Sequence, residues 1–259
     1  MTRQDARVSA PAALPPETLE GWYVLHQLFR GRAPDGDLLR AVAAARVADG
    51  EGWSAAARVV GSRADWMVMH FRATLGAVGE AQRAFAETDV ASGLELVYSF
   101  LSVTEAGLYH LTAELARDAV ARGGAVGDDA YVAELAVRAG AERESAHVRR
   151  RLYPTVPEGM GWACFYPMSK KRDVGANWYS LSLDERSRLM HAHGTTGRRY
   201  AGKIVQVISG AIGLDAWEWG VTLFAKDPLE FKKIVTEMRF DEVSAKYGEF
   251  GEFFVGQLL

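Results

Sequence analysis

The sequence has little that would mark a secreted, membrane-spanning or nucleic-acid-binding protein. Its 259 residues include one cysteine, Cys164, so no intramolecular disulfide can form, which fits a reducing cytoplasm. No segment approaches the ~20 apolar residues of a membrane-spanning helix. The polar first 20 residues lack the apolar stretch of a signal peptide. The net charge of −3 gives no general attraction for nucleic acid. We therefore expect a cytoplasmic globular protein without a membrane span or a nucleic-acid partner.

Several motifs of well-known enzyme classes are also missing. There is no phosphate-binding P-loop, no Gly-x-Ser-x-Gly and no Cys/His cluster with the spacing of zinc ligands. The segment from Gly210 to Gly213 lacks the full dinucleotide-binding pattern and its strand–turn–helix setting. Nucleotide, serine-hydrolase and zinc chemistry are therefore not indicated by any motif.

What is present is an order of predicted helices and strands that occurs twice. In the first half we predict strands at 21–29, 53–60, 65–71 and 94–103, and helices at 37–47 and 74–88. In the second half we predict strands at 162–167, 203–208, 217–224 and 250–258, a helix at 184–193 that ends at Gly194, and a long helix at 227–247. Each half reads β-α-β-β-α-β, which is the ferredoxin-like unit. The predicted fold class is α+β, with two such modules packed sheet to sheet or closed into an α+β barrel.

These elements suggest four regions. Residues 1–20 are predicted to be a flexible tail, and 21–106 a first ferredoxin-like module. Residues 107–151, rich in alanine, glutamate and arginine, are predicted to form a helical connector that covers both modules. Residues 152–259 are predicted to form a second module, which carries the chemistry.

Three residues of the second module could serve a reactive site, and each also has a structural explanation. His193 fits either a metal ligand or a histidine that interacts with the last carbonyls of its helix. Tyr166, held by the restricted backbone before Pro167, is either a redox-active phenol or a half-buried core tyrosine. Lys170 opens a basic run that is either a solvated loop or part of a clamp for carboxylates, together with the arginines at 149–151.

Several segments resemble the coproheme decarboxylases of the chlorite dismutase-like superfamily. They are Cys164-Phe165-Tyr166-Pro167-Met168-Ser169-Lys170-Lys171-Arg172, Asn177-Trp178-Tyr179, His193-Gly194, Gly197-Arg198-Arg199-Tyr200-Ala201-Gly202-Lys203, Trp217-Glu218-Trp219-Gly220-Val221-Thr222-Leu223-Phe224 and Glu237-Met238-Arg239-Phe240-Asp241-Glu242. The resemblance is dense from 153 to 259. In the first half it rests on Tyr98-Ser99-Phe100-Leu101-Ser102-Val103 and on the order of elements.

The resemblance implies a dimeric α+β barrel in each subunit and a homopentameric ring of subunits. It implies that iron coproporphyrin III (coproheme) is both the substrate and the redox cofactor, with hydrogen peroxide as oxidant. Two of its four propionates would become vinyls through a three-propionate intermediate, and heme b would be the product. A transient contact with a coproporphyrin ferrochelatase is also expected.

The resemblance also implies roles for individual residues. His193 would be the axial iron ligand and Tyr166 the catalytic residue, acting as a phenoxyl radical. The remaining contacts with the macrocycle would come from Tyr109, Arg151, Tyr166, Pro167, Met168, Ser169, Lys170, Gln206 and Ser244. Among these, Lys170, Arg151, Ser244 and Tyr109 would hold propionates.

One position distinguishes two reactions within the superfamily. Chlorite dismutases carry an arginine thirteen residues after the axial histidine, whereas this chain has Gln206. A neutral amide stabilises a departing chlorine oxyanion less well than a guanidinium does. Gln206 therefore favours decarboxylation over chlorite decomposition, and a non-catalytic heme carrier or sensor is the third hypothesis.

Overall fold

The first half of the chain forms one β-α-β-β-α-β module in the computed structural model, which describes residues 14–45 and 52–259. Its elements are β1 (Thr18–Arg30), α1 (Asp35–Ala44), β2 (Gly52–Val59), β3 (Trp66–Arg72), α2 (Leu75–Ala86), the short α3 (Asp89–Ser92) and β4 (Glu95–Gly107). The strands lie in the order β2-β3-β1-β4, all antiparallel.

The second half repeats this arrangement. Its elements are β5 (Trp162–Lys170), β6 (Arg172–Asp173), β7 (Ala176–Asn177), a 3-10 turn (Trp178–Ser180), α7 (Leu183–Arg198), β8 (Ile204–Gly210), β9 (Trp219–Ala225), α8 (Leu229–Arg239), α9 (Glu242–Tyr247), β10 (Gly248–Phe250) and β11 (Phe254–Leu258). The main strands lie in the order β8-β9-β5-β11, which is the order of the first half with each strand replaced by its counterpart. The α+β prediction and the repeated order of elements are confirmed.

Three helices connect the two halves: α4 (Tyr109–Ala121), α5 (Asp129–Glu144) and α6 (Ala146–Leu152). They bury their own small apolar cluster, in which Leu115, Ala119 and Leu152 are almost completely inaccessible. Because α4 also packs against α7, the connector touches the second module beside the predicted site.

The two modules share one sheet that closes on itself. β4 pairs with β8 on one side, and β11 pairs with β2 on the other, so that the pairing of β5 with β9 completes the ring. The inside of this ring is filled by apolar side chains from both halves, including Phe100, Phe165 and Phe224. Because successive side chains of a strand point to opposite faces, the neighbours of these inward-pointing residues face outward, toward the helices.

The predicted end of the second module's first helix is wrong. Helix α7 continues through Gly194 to Arg198, and Gly194 is not among the glycines with positive φ. The Thr195 hydroxyl donates to the His191 carbonyl (3.0 Å), and the helix is held by packing against α4, α8 and α9. Tertiary packing therefore outweighs the glycine's preference for a helix end, which is worth only about 1 kcal/mol.

The single helix predicted at 227–247 is also wrong, because the chain breaks between α8 and α9. Asp241 begins α9 as its N-cap, and its Oδ1 accepts a hydrogen bond from the backbone of Val243 (2.9 Å). An aspartate that accepts backbone hydrogens favours a helix start over a helix interior.

Several other boundaries differ from the prediction. The strand predicted at 250–258 is interrupted at 251–253, between β10 and β11, and β4 continues to Gly107. Thr18 to Glu20 belong to β1 and pair with the end of β4, so the last part of the predicted tail is a strand. Residues 1–13, and the last two residues of the helix predicted at 37–47, lie outside the described residues. Strand β5 extends to Lys170, where a loop was expected, because β10 pairs with residues 168–170. In the described parts of the chain no helix has the length and apolar character needed to cross a membrane.

Candidate functional site

Two of the predicted reactive residues, Tyr166 and Lys170, lie on the outer face of β5, whereas the third, His193, lies on α7. Phe165 points into the ring, so its neighbour Tyr166 points outward. The register pairs Ile208 with Val221 and Val221 with Tyr166, which forms a row across three strands. Gln206 lies two residues before Ile208 on β8, so its side chain is on the same outer face, where it is exposed.

His193 is oriented by a carboxylate. Its Nδ1–H donates to Oδ2 of Asp241, the residue that starts α9, and Asp241 is almost fully buried. Burial lowers the pKa of His193, and Asp241 opposes this effect in part, so the imidazole is neutral at neutral pH. A neutral imidazole whose Nδ1 is occupied presents Nε2 as a metal ligand.

Lys170 is a buried cation near this pair. Only 8% of the residue is exposed, and its ammonium lies 4.9 Å from the centre of the Trp178 ring. Burial lowers the pKa of Lys170 to about 8, although Asp241 and Glu218 oppose the shift. The backbone N–H of Lys170 donates to Glu218 Oε2 (2.7 Å), which fixes the end of β5.

Tyr166 has an apolar environment with one cation at its edge. Its ring stacks on Phe253 at 4.2 Å and lies 6.1 Å from Phe250. The Arg239 guanidinium is 3.9 Å from the Phe250 ring centre. Burial raises the pKa of Tyr166 far above its usual value, and Arg239 opposes this only in part, so the phenol keeps its proton.

The residues between Tyr166 and Lys170 act through their backbone. The Pro167 carbonyl accepts from Gly251 (2.9 Å), and the Met168 carbonyl accepts from Glu218 (3.1 Å). The Ser169 hydroxyl accepts from the same Glu218 amide (3.2 Å). These bonds fix the end of β5, on which Tyr166 and Lys170 lie four residues apart and face the same side.

Tyr109 and Ser244 lie on the same side of the molecule as Lys170. The Trp178 ring, which lies under Lys170, contacts Tyr109 at 6.4 Å and Tyr247 at 5.5 Å, both edge to face. Ser244 is on α9, buried one turn before Tyr247. The Trp178 ring therefore contacts Lys170, Tyr109 and Tyr247.

Arg151 lies on α6, near Glu105 of β4. Burial lowers its pKa, and the nearby Glu105 carboxylate opposes this shift. Glu105 accepts a hydrogen bond from Trp219 Nε1–H (2.7 Å), which links β4 to the start of β9. Among the described residues, no hydrogen bond or ion pair joins Arg151 to Tyr166, Lys170 or His193, so its role as a propionate contact stays a prediction.

The sequence alone did not indicate Asp241 or Arg239. Asp241 falls inside the single helix predicted at 227–247, and Arg239 appears only as a member of a segment that resembles the family. The signal that could have identified Asp241 is its sequence, Asp-Glu-Val-Ser after a helical run, which is a typical helix start.

Comparisons with known proteins identify the family. A family model described as chlorite dismutase matches residues 36–259. The coproheme decarboxylase of Staphylococcus carnosus (strain TM300) is 39% identical over 258 residues, which cover 94% of each chain. A coproheme decarboxylase of Thermus thermophilus is 41% identical over 260 residues, covering 95% of this chain and 93% of that protein.

Solved structures show the same similarity. A heme-binding protein from Thermus thermophilus superimposes with a TM-score of 0.75 at 41% identity, over 95% of this chain and 94% of that one. A mutant chlorite dismutase from Candidatus Nitrospira defluvii gives a TM-score of 0.64 at 15% identity, over 93% and 92% of the two chains. The second similarity concerns the fold alone.

Proposed function

The chain belongs to the chlorite dismutase family, and from that premise we propose that it is a coproheme decarboxylase that makes heme b in heme biosynthesis. The observation that supports the proposal is the environment of His193: Asp241 orients its imidazole, and the Lys170 ammonium is near enough to lower its pKa. The buried Tyr166, which keeps its proton, lies on the same face of β5 as Lys170.

The donor set suits iron coproporphyrin III as a substrate. A metal that arrives inside a macrocycle needs few ligands from the protein, and His193 Nε2 would supply one. The four propionates need cationic and hydroxyl partners, which Lys170, Arg151, Ser244 and Tyr109 would provide. Arg239, beside Phe250 and near Tyr166, adds a further cation that the sequence did not indicate.

Tyr166 would perform the radical step. Bound iron and hydrogen peroxide supply the oxidising equivalents. The phenol loses a hydrogen atom, and its radical removes one from the propionate carbon that is attached to the macrocycle. Loss of CO2 and one further electron leaves a vinyl group. Each propionate carboxylate, with one H2O2 and one proton, thus gives one vinyl, one CO2 and two water molecules.

Lys170 would position the reacting carboxylate. Its ammonium is four residues from Tyr166 on the same face, and it is fixed over Trp178. A fixed cation reduces the freedom of the propionate before reaction, which is a positioning effect. Two rounds at two propionates would pass through a three-propionate intermediate.

Titration with coproheme and then hydrogen peroxide, with products identified by mass, tests the proposed function. Stepwise loss of two carboxyl groups is expected. Bleaching without vinyl products would instead indicate a carrier or sensor. Oxygen release from chlorite, measured with an oxygen electrode, would indicate the alternative reaction, which the exposed amide of Gln206 disfavours.

The remaining expectations concern the cellular setting. The protein would act in the cytoplasm as a homopentamer, with its second module as the porphyrin-binding module and the connector as its cover. Coproheme would arrive through a transient contact with a coproporphyrin ferrochelatase. Mass measurement of the assembly in solution tests the pentamer.

A further inference from the structure

A buried arginine, Arg186, lies on the same face of α7 as His193. The two residues are seven positions apart, which is about 20° short of two full helical turns and about 10 Å along the axis. Arg186 is 3% exposed. Its guanidinium therefore lies inside the protein, at some distance along the helix from the proposed iron ligand.

Within the described residues, no carboxylate of the protein pairs with this guanidinium. Its Nη2–H donates to the Leu14 carbonyl, and its Nε–H has no hydrogen-bond partner. Burial lowers the pKa of Arg186, and Tyr109 and Tyr179 are close enough to offset this in part. The buried Tyr179 hydroxyl makes no hydrogen bond of normal geometry with any described partner, although burial and the nearby Glu218 carboxylate both raise its pKa.

The carboxylates nearest the two tyrosines are already engaged. Glu218 accepts from the Lys170 backbone (2.7 Å) and lies 3.7 Å from Arg172. Glu105 accepts from Trp219 (2.7 Å). Neither is within ion-pair distance of Arg186, so the positive charge stays uncompensated within the described structure.

An uncompensated buried guanidinium is unfavourable unless something pairs with it. A carboxylate fits best, because its two oxygens match the planar fork of an arginine. The tyrosine hydroxyls beside it could donate to the same group. The geometry therefore calls for an external carboxylate, and the proposed substrate carries four.

We propose that Arg186, together with Tyr109 and Tyr179, anchors a carboxylate of the porphyrin that is retained in the product, an inference that rests on the proposed function. We assign Arg186 to a propionate that is not decarboxylated because its neighbours differ from those of Tyr166. Tyr166 contacts Phe253 and lies near Arg239, whereas Arg186 is surrounded by a different pair of tyrosines. A carboxylate held at Arg186 would therefore lie beside Tyr109 and Tyr179 and not beside Tyr166.

Affinity measurements on single variants of the full chain test this. Arg186→Met removes the charge but keeps an unbranched side chain. Arg186→Lys keeps the charge but lacks the planar guanidinium. Arg188→Met is the control. Arg188 is exposed on the same helix and lies 3.6 Å from Glu242. Each is titrated with ferric coproheme and with heme b by absorbance, and the unfolding temperature of the ligand-free protein is recorded.

Arg186→Met should weaken binding of both porphyrins by about 10- to 100-fold, as expected for loss of a hydrogen-bonded charge. Arg186→Lys should be intermediate, and Arg188→Met unchanged. The ligand-free unfolding temperature should not fall in Arg186→Met, since an unpaired charge has been removed. If Arg186→Met does not fold, the Arg186→Lys variant is the test. Wild-type affinity in that variant would show that the planar guanidinium is not required and would overturn the anchor.

Wild-type affinity in Arg186→Met, or a lower unfolding temperature with unchanged affinity, would overturn the anchor and indicate a structural role. A loss confined to coproheme would overturn the assignment to a retained carboxylate. The proposed function fails separately. If the wild type binds porphyrin through Arg186 but releases no CO2 with peroxide, the anchor stands and the decarboxylase proposal does not.

Discussion

Tyr166 and Lys170 point from the same face of β5, and burial changes their proton affinities in opposite directions. Burial raises the pKa of the Tyr166 phenol and lowers that of the Lys170 ammonium to about 8. At neutral pH the phenol therefore keeps the hydrogen that a radical step requires. The ammonium is still charged, but it loses its proton more readily than an ordinary lysine does.

Replacing Tyr166 with Phe should leave coproheme affinity within about twofold and reduce vinyl formation by at least about 100-fold, as for loss of a reacting group. The ring packing on Phe253 is kept and only the hydroxyl is lost. Tyr131→Phe, in the connector core, is the matched control and should behave as the wild type. Product masses after peroxide addition measure the effect, and a Tyr166→Phe variant that makes heme b at the normal rate would refute the radical role.

Coproheme binding should weaken as the pH rises through about 8, because Lys170 is charged below that value and neutral above it. Affinity falls with rising pH because an anionic propionate is attracted by the protonated ammonium and not by the neutral amine. Lys170→Met should bind more weakly below pH 8 and should lose this part of the pH dependence. Dissociation constants measured on both sides of pH 8 check this, and parallel pH profiles for the two proteins would contradict it.

At the scale of helices and strands, the break between α8 and α9 determines the geometry of the site. Asp241 uses one carboxylate oxygen to cap α9 and the other to accept from His193. A continuous helix would have placed this side chain in a helical interior position, without the free backbone N–H groups of a helix start. The start of α9 and the orientation of the imidazole therefore depend on one residue.

Asp241→Asn separates these two roles, because asparagine is also a good N-cap. The variant should unfold at about the wild-type temperature but bind coproheme about 10- to 100-fold more weakly, as for loss of a group that orients a metal ligand. Asp241→Ala should lose both the cap, about 1 kcal/mol, and the affinity. Thermal unfolding and absorbance titration measure the two effects. Unchanged affinity in Asp241→Asn would show that the carboxylate does not support His193.

The sequence was sufficient for most strands and for the repeated order of elements, because alternation and helical spacing are local signals. It was not sufficient where tertiary contacts decide. Gly194 stays helical because α7 is packed on three sides, and Lys170 is in a strand because β10 pairs with it. His193, Tyr166 and Lys170 could be named from their residue types and the family resemblance. Arg186 could not, since its importance depends on burial beside Tyr109 and Tyr179.

At the scale of the whole molecule, a buried histidine ties the two modules together. His26 on β1 belongs to the first module, and its Nε2 lies 2.9 Å from the Thr222 hydroxyl on β9 of the second. Its ring stacks on Phe165 of β5 at 4.0 Å. A second buried histidine, His70 on β3, forms a hydrogen bond with Ser54 (2.8 Å). Burial lowers the pKa of both histidines to about 3.

These two histidines should make the fold acid-sensitive. Their pKa is about 6.5 in the unfolded chain and about 3 in the native protein, so below pH 6.5 the unfolded state binds protons that the native state does not. Stability is unaffected by them above pH 6.5 and falls below it, by at most about 1.4 kcal/mol per pH unit for each histidine. His70→Leu should flatten this decline by about half, whereas the exposed His147→Gln should not change it. Urea unfolding at several pH values between about 5 and 7 measures the slope, and a decline in His70→Leu as steep as in the wild type would show that acid acts elsewhere in the molecule.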